Sequence, residues 1–109
     1  VSKQLNAVMA TEFKRNNGII MRTMANVFSN RFFQFYELEA ALKARNIDSE
    51  DIQDSLDYLE GQGYIEVRHM EKHDPVRMCD MEPDEIEIKL SSKGKLVVLS
   101  IKVDEGIDI

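Results

Sequence analysis

His69, His73, Cys79 and Asp80 are the residues of this 109-residue chain whose types could do chemistry. Imidazole, thiolate and carboxylate are the groups that bind zinc. The two histidines stand four apart, a spacing that puts both rings on one side of a helix. Their surroundings, however, read as a strand end and a charged loop, where such groups are ordinarily solvated. A Cys–His pair acting as nucleophile and base needs a pocket, and nothing around Cys79 predicts one. The chain contains no Gly-rich phosphate loop, no G-x-S-x-G and no H-E-x-x-H. The expectation is therefore no catalytic residue, no bound metal and no cofactor.

The second constellation is electrostatic. Residues 1–45 carry seven basic side chains against three acidic ones, and residues 61–109 seven against eleven. Between them, residues 46–60 hold Asp48, Glu50, Asp51, Asp54, Asp57 and Glu60 with no Lys or Arg. The formal charge of −6 thus resides in one short segment, and the rest of the chain is balanced. The segment reads as a helix capped by Asp48 or Ser49, with Ile52, Leu56 and Leu59 at helical spacing and Gly61 and Gly63 ending it. At about 100° per residue, Asp54 and Asp57 project within about 40° of Glu50, opposite the three apolar residues. Asp48, Glu50 and Asp51 are explained in part by the helix dipole, which favours acids in the first turn by ~0.3–1 kcal/mol each. Asp54, Asp57 and Glu60 lie beyond that help. Glu50, Asp54 and Asp57 are the candidate partner-binding face, suited to a basic protein.

The elements around this helix follow from periodicity. Leu5, Val8, Met9 and Phe13 predict an amphipathic helix over 3–15, and Asn16-Asn17-Gly18 reads as its stop. Ile20, Met24, Val27 and Phe28 predict a second helix over 19–28. Phe32-Phe33 is a candidate short strand. A third helix spans 36–45, with Leu38, Ala41 and Leu42 inward and Asn46 ending it. Tyr64 to Arg68 and Ile86 to Leu90 alternate as strands, joined by a long charged loop with Pro75 and Pro83. Ser91 or Ser92 caps a last helix through Lys95, Leu96 and Leu99, although the β-branched run Val97–Ile101 also suits a strand. Residues 100–109 read as an extended tail. The apolar stripe of the first helix could pack on the core or on a second copy, which makes a homodimer a reading to test.

A chain this short, 43% hydrophobic and 31% charged, fits one globular domain over 1–109, with 1–16 as an N-terminal helix and 19–99 as the core. No apolar run approaches the ~20 residues of a membrane helix, and no leader is read at the start. One cysteine excludes an internal disulfide and suits a reducing cytoplasm.

The order helix, helix, short strand, helix, helix, strand, strand, helix is that of a winged helix, an α+β and mainly α fold in which a helix-turn-helix carries a β-hairpin wing. Two stretches strengthen this. Leu56-Asp57-Tyr58-Leu59-Glu60-Gly61-Gln62-Gly63-Tyr64-Ile65 resembles the L-x-x-L-E-x-x-G-Y/L-I that ends the recognition helix of winged-helix proteins. Leu90-Ser91-Ser92-Lys93-Gly94 resembles the L-T-x-x-G after their wing, with Ser91 in place of Thr. The resemblance covers residues 19–99. A narrower one adds L-S-S-K-G-K and the ending Asp104-Glu105-Gly106-Ile107, and is similar to a family of small winged-helix proteins of Mu-like prophages.

Such a resemblance implies nucleic-acid binding by default, with the 49–60 helix in the major groove. That helix lacks the Lys and Arg that neutralise phosphates, so groove insertion is disfavoured. Arg68, Lys72 and Arg77 on the wing are the candidate nucleic-acid contacts. Two readings result: a non-enzymatic adaptor of a prophage or mobile element with a basic protein partner, or a transcriptional regulator that contacts DNA mainly through its wing.

Overall fold

A computed structural model describes residues 3–29 and 31–109, with side chains from Asn6 onward, so Leu5 lies outside the described side chains. Four helices and a three-stranded antiparallel sheet make an α+β, mainly helical fold. α1 (Lys3–Val27) leads to β1 (Phe33–Gln34) and α2 (Phe35–Leu42). A 3₁₀ turn at Lys43–Arg45 closes on Asn46, which adopts φ 58°, the left-handed conformation that Asn tolerates. α3 (Ser49–Gly61) follows, capped by Asp48, whose carboxylate accepts the Asp51 N–H at 2.9 Å. β2 (Ile65–His69) and β3 (Ile86–Leu90) pair from Ile65 opposite Leu90 to His69 opposite Ile86, and β1 flanks β3, giving the order β1-β3-β2. α4 (Ser92–Val98) completes the elements, so the β-branched run from Val97 does not form a strand.

The core lies between the C-terminal half of α1, the inner faces of α2 and α3, and the sheet. Ile20, Met24, Leu38, Leu56, Leu59 and Ile88 are among its fully buried members. Fully burying such side chains contributes roughly 1.5–3 kcal/mol each. Phe35 and Leu42 flank Leu38 on the inner face of α2; Ala41, expected inward, is exposed.

Two expectations about the course of the chain require correction. Asn16-Asn17-Gly18 does not stop a helix, because α1 is continuous from Lys3 to Val27. Its apolar phase passes unbroken through Phe13, Asn17, Ile20 and Met24, and the polar residue in that phase has a partner elsewhere. Asn17 is wholly buried and donates from Nδ2 to the Gly106 carbonyl at 2.8 Å. Gly18 is where the chain end crosses the helix: a Cβ there would sit 1.9 Å from the Asp108 carbonyl oxygen.

The tail, expected to be extended, instead turns at 104–107 and docks. Ile107 is buried, its N–H bonds the Asp104 carbonyl at 3.1 Å, and the Asp108 N–H bonds the Lys14 carbonyl at 3.1 Å. Residues 100–109 are thus a strap across α1 and α3.

The β2–β3 connection, read as a long charged loop, folds back on the sheet. The Val76 N–H bonds the Val67 carbonyl at 3.1 Å, so residues 75–76 cover the outer edge of β2. Met78 and Met81 then pack against the core.

Candidate functional site

The stretches singled out in the sequence converge on one another. Ser91 Oγ accepts the Gly94 N–H at 3.0 Å, capping α4, and donates to the Gly63 carbonyl at 2.7 Å. A Cβ on Gly94 would lie 2.3 Å from the Tyr64 carbonyl oxygen, so glycine permits α4 to approach β2 this closely. Gly63 itself has φ 78°. Asp104 of the strap then receives both tyrosine hydroxyls. Tyr58 donates to Oδ1 at 2.6 Å and Tyr64 to Oδ2 at 2.5 Å, while the Gly106 N–H donates to Oδ1 at 2.7 Å. Burial alone would raise the Asp104 carboxyl. The Tyr58 and Tyr64 hydroxyls, the Gly106 N–H and the Lys102 ammonium together hold it below its ordinary value. Burial, followed by the bond to Asp104, pushes both tyrosines up to about 12. This is a structural clamp that the sequence reading missed.

The clamp fixes α3 against α1 and leaves one side of α3 outward. Glu50, Asp54 and Asp57 are all exposed, as the helical wheel predicts, and Ile52, Leu56 and Leu59 are buried. Among the described residues, none of the three carboxylates has an ion-pair partner. Glu60 is different: its carboxylate accepts the Met78 N–H at 3.0 Å, fastening the β2–β3 connection to the end of α3. That connection forms the far wall of a groove of about 340 Å³, whose α3 side carries Asp54 and Asp57 and whose floor includes Phe35, Met81 and Ile86. On the other side, Asp51 faces Glu12 of α1. Burial, with the charges of Asp48, Asp54 and Glu12, pushes the Asp51 carboxyl up.

The three wing cations are not equivalent. Arg68 is engaged twice: Nε meets Glu87 at 2.5 Å and the face of its guanidinium stacks 3.6 Å over the Phe32 ring. Lys72 and Arg77 are exposed on the connection. His69, His73, Cys79 and Asp80 are not brought together. His69 Nδ1 accepts the Glu71 and Lys72 N–H groups at 3.2 and 3.1 Å, organising a turn. His73 Nε2 lies 3.8 Å from Glu87, and exposed Cys79 neighbours Asp80. Among the described residues no group of three His, Cys, Asp or Glu could hold a metal ion. No described helix is long and apolar enough to cross a membrane.

Val8 and Met9, read as part of a stripe that packs on the core or on a second copy, do not pack on the core: they are 54% and 59% exposed in the single chain, and α1 makes its first aromatic contact at Phe13, edge-on to Tyr58 at 5.3 Å. The N-terminal turns of α1 therefore stand out as an arm. Comparison with protein-family models, with curated proteins and with solved structures gives no match to this chain.

Proposed function

We propose that this chain is a winged-helix binding module without enzymatic activity, whose α3 presents Glu50, Asp54 and Asp57 to a basic protein partner. The observation that carries the reading is the row of three exposed carboxylates, without ion-pair partners among the described residues, on the helix a winged helix would offer to DNA. The element order and the β1-β3-β2 sheet support the winged-helix assignment. The connection beside α3 adds Asp80, Glu82 and Asp84, all exposed, which deepens the negative field where phosphates would have to approach. An adaptor role in a prophage or mobile element is the setting suggested by the wording of the three motif stretches.

The second reading, a regulator that touches DNA through its wing, is favoured by exposed Lys72 and Arg77. Arg68, already paired with Glu87 and stacked on Phe32, is the least available of the three cations. Fluorescence anisotropy separates the readings. One arm uses random and native-upstream duplex DNA, the other a fluorescein-labelled arginine-rich peptide, each over a salt series. The binding-module reading predicts peptide binding and no duplex binding at low salt. Duplex binding that weakens steeply with salt, survives Asp54→Ala and Asp57→Ala and fails with Lys72→Ala and Arg77→Ala would establish the regulator instead.

A further inference from the structure

Leu96, Leu99, Ile101 and Val103 fall within one short run of chain and are 41–83% exposed. Apolar side chains scattered singly on a surface need no explanation; a contiguous group does. The turn after α4 gathers these four. Ser100 adopts φ 61°, and the Ile101 and Lys102 N–H groups both bond the Leu96 carbonyl, at 2.9 and 3.0 Å. Val98 and Leu99 continue into a groove of about 350 Å³ against Ala25, Asn26 and Ser29 at the C-terminal end of α1. Charge indicates what covers this patch. Residues 92–103 hold Lys93, Lys95 and Lys102 and no acid, the inverse of residues 46–60. Lys93 and Lys102 both reach the Tyr64 ring, at 5.5 and 5.6 Å. Partial burial, followed by the Lys93 charge, lowers the Lys102 ammonium. Among the described residues none of the three lysines is ion-paired. A symmetric pair that set α4 against α4 would bring these cations onto one another. The patch requires a counterpart that is acidic and partly apolar.

The same chain carries one. Met9, Glu12, Asp51 and Asp54 line a shallow cleft of about 170 Å³ between the arm of α1 and α3, and exposed Val8 adjoins Met9 on the arm. The two surfaces cannot meet within one molecule. Leu99 shares its groove with Ala25, and Met9 lies sixteen residues away along the same continuous helix, about 24 Å. We propose, resting on the acidic-face reading of α3, that its basic partner is a second copy of this chain, which packs Leu99, Ile101 and Val103 on Val8 and Met9 and sets its lysines against Glu12, Asp51 and Asp54. An anionic lipid surface or a duplex would satisfy the lysines alone and leave the acidic arm uncovered. A second copy satisfies both surfaces with one contact. The contact is head-to-tail, so each copy keeps one free surface of each kind, and assembly continues into a ring or a filament.

The test is sedimentation velocity of the full chain from micromolar to near-millimolar concentration, at low and high salt. Two variants each remove one surface at exposed positions: Met9→Ser with Glu12→Lys on the arm, and Leu99→Asp with Val103→Asp on the patch. The parent mass should rise with concentration to two copies and beyond, and less so at high salt. Each variant alone should stay monomeric, with self-association weakened tenfold or more. An equimolar mixture of the two should form a complex of two chains and nothing larger, because each keeps the surface the other has lost. The mixed complex also shows that both variants are folded. A parent that stays monomeric throughout, a mixture that forms no complex, or either variant associating as the parent does overturns the proposal. A monomeric parent that still binds the labelled arginine-rich peptide overturns self-assembly and leaves the acidic-face reading standing; one that binds no peptide overturns both. A monomeric parent that floats with phosphatidylserine vesicles, and fails to do so with Leu99→Asp and Val103→Asp, assigns the patch to lipid and likewise overturns the proposal.

Discussion

Replacing Asp104 with Ala removes the group on which the strap closes. Its carboxylate takes two tyrosine hydroxyls and the Gly106 N–H, at 2.5, 2.6 and 2.7 Å. Hydrogen bonds to a charged group contribute about 1.5–3 kcal/mol each to stability. The Tyr64 bond deserves the upper half of that range, because Tyr64 is 1% exposed and its hydroxyl would be stranded. The Tyr58 bond belongs near ~1 kcal/mol, since Tyr58 is only partly buried and water can replace its partner. Asp104→Ala should therefore cost about 3–4 kcal/mol, a large share of the ~5–15 kcal/mol that holds a domain together. At ~4–8 °C per kcal/mol, the midpoint should fall by more than ~10 °C. Urea unfolding followed by far-UV circular dichroism measures the difference. A double-mutant cycle of Asp104→Asn with Tyr64→Phe isolates the bond itself, and should give a coupling of about 1.5–3 kcal/mol. A coupling below ~0.5 kcal/mol, with the midpoint unmoved, would refute the clamp.

The same groups set a pH dependence with a defined sign. Asp104 is held below its ordinary value in the fold, so its contribution is present above the unfolded carboxyl pKa and is lost as pH falls through the lower folded one. Tyr58 and Tyr64 are raised from 10.0 to about 12, so their contribution is complete below pH 10 and disappears between 10 and 12. The stability difference between the parent chain and Asp104→Asn should accordingly be flat near neutrality and shrink at both extremes; a difference that stays constant from pH 2 to 12 would contradict this. Gly18→Ala should reverse sign with the tail. In the full chain its Cβ would strike the Asp108 carbonyl oxygen and destabilise. In a chain lacking residues 107–109 it should stabilise relative to Gly18 by up to ~1 kcal/mol, the intrinsic helix preference. Thermal unfolding of the four chains decides it. Ser55→Ala should stabilise the unliganded protein by about 1 kcal/mol, because it removes an unpaired buried hydroxyl and adds a better helix former. Destabilisation by a similar amount would mean that the hydroxyl has a partner in the free protein.

α3, β2 and β3 were legible because their signals are local: the Asp48 cap, the Ile52–Leu56–Leu59 spacing, and strict alternation along each strand. The acidic face was legible for the same reason, since a helical wheel depends only on the element being a helix. The failures were tertiary. Asn16-Asn17-Gly18 has the composition of a helix end, yet Asn17 holds the phase between Phe13 and Ile20, and its partner lies 89 residues away at Gly106. The signal against a stop was the unbroken phase itself. Glu60 looked like one more acid in a run, at a helix end where negative charge is unfavourable. The Met78 N–H it accepts gives that position its purpose. The motif stretches that suggested a family meet physically: Gly63-Tyr64 packs on Ser91-Gly94, and Tyr58 and Tyr64 close on Asp104. Their joint occurrence is explained by packing, whatever the protein binds.

The functional account turns on whether the carboxylates of α3 recognise cations. Exposed ion pairs contribute ~0.2–1 kcal/mol each, so three of them are worth roughly a threefold to 150-fold change in affinity. The direct measurement is the salt dependence of log K for the labelled arginine-rich peptide, on the parent chain and on the triple variant Glu50→Gln, Asp54→Asn, Asp57→Asn. The account predicts a steep slope for the parent, and for the triple variant roughly threefold or more lower affinity at low salt, with a shallower slope. Equal affinity and equal slope for the two proteins would contradict it.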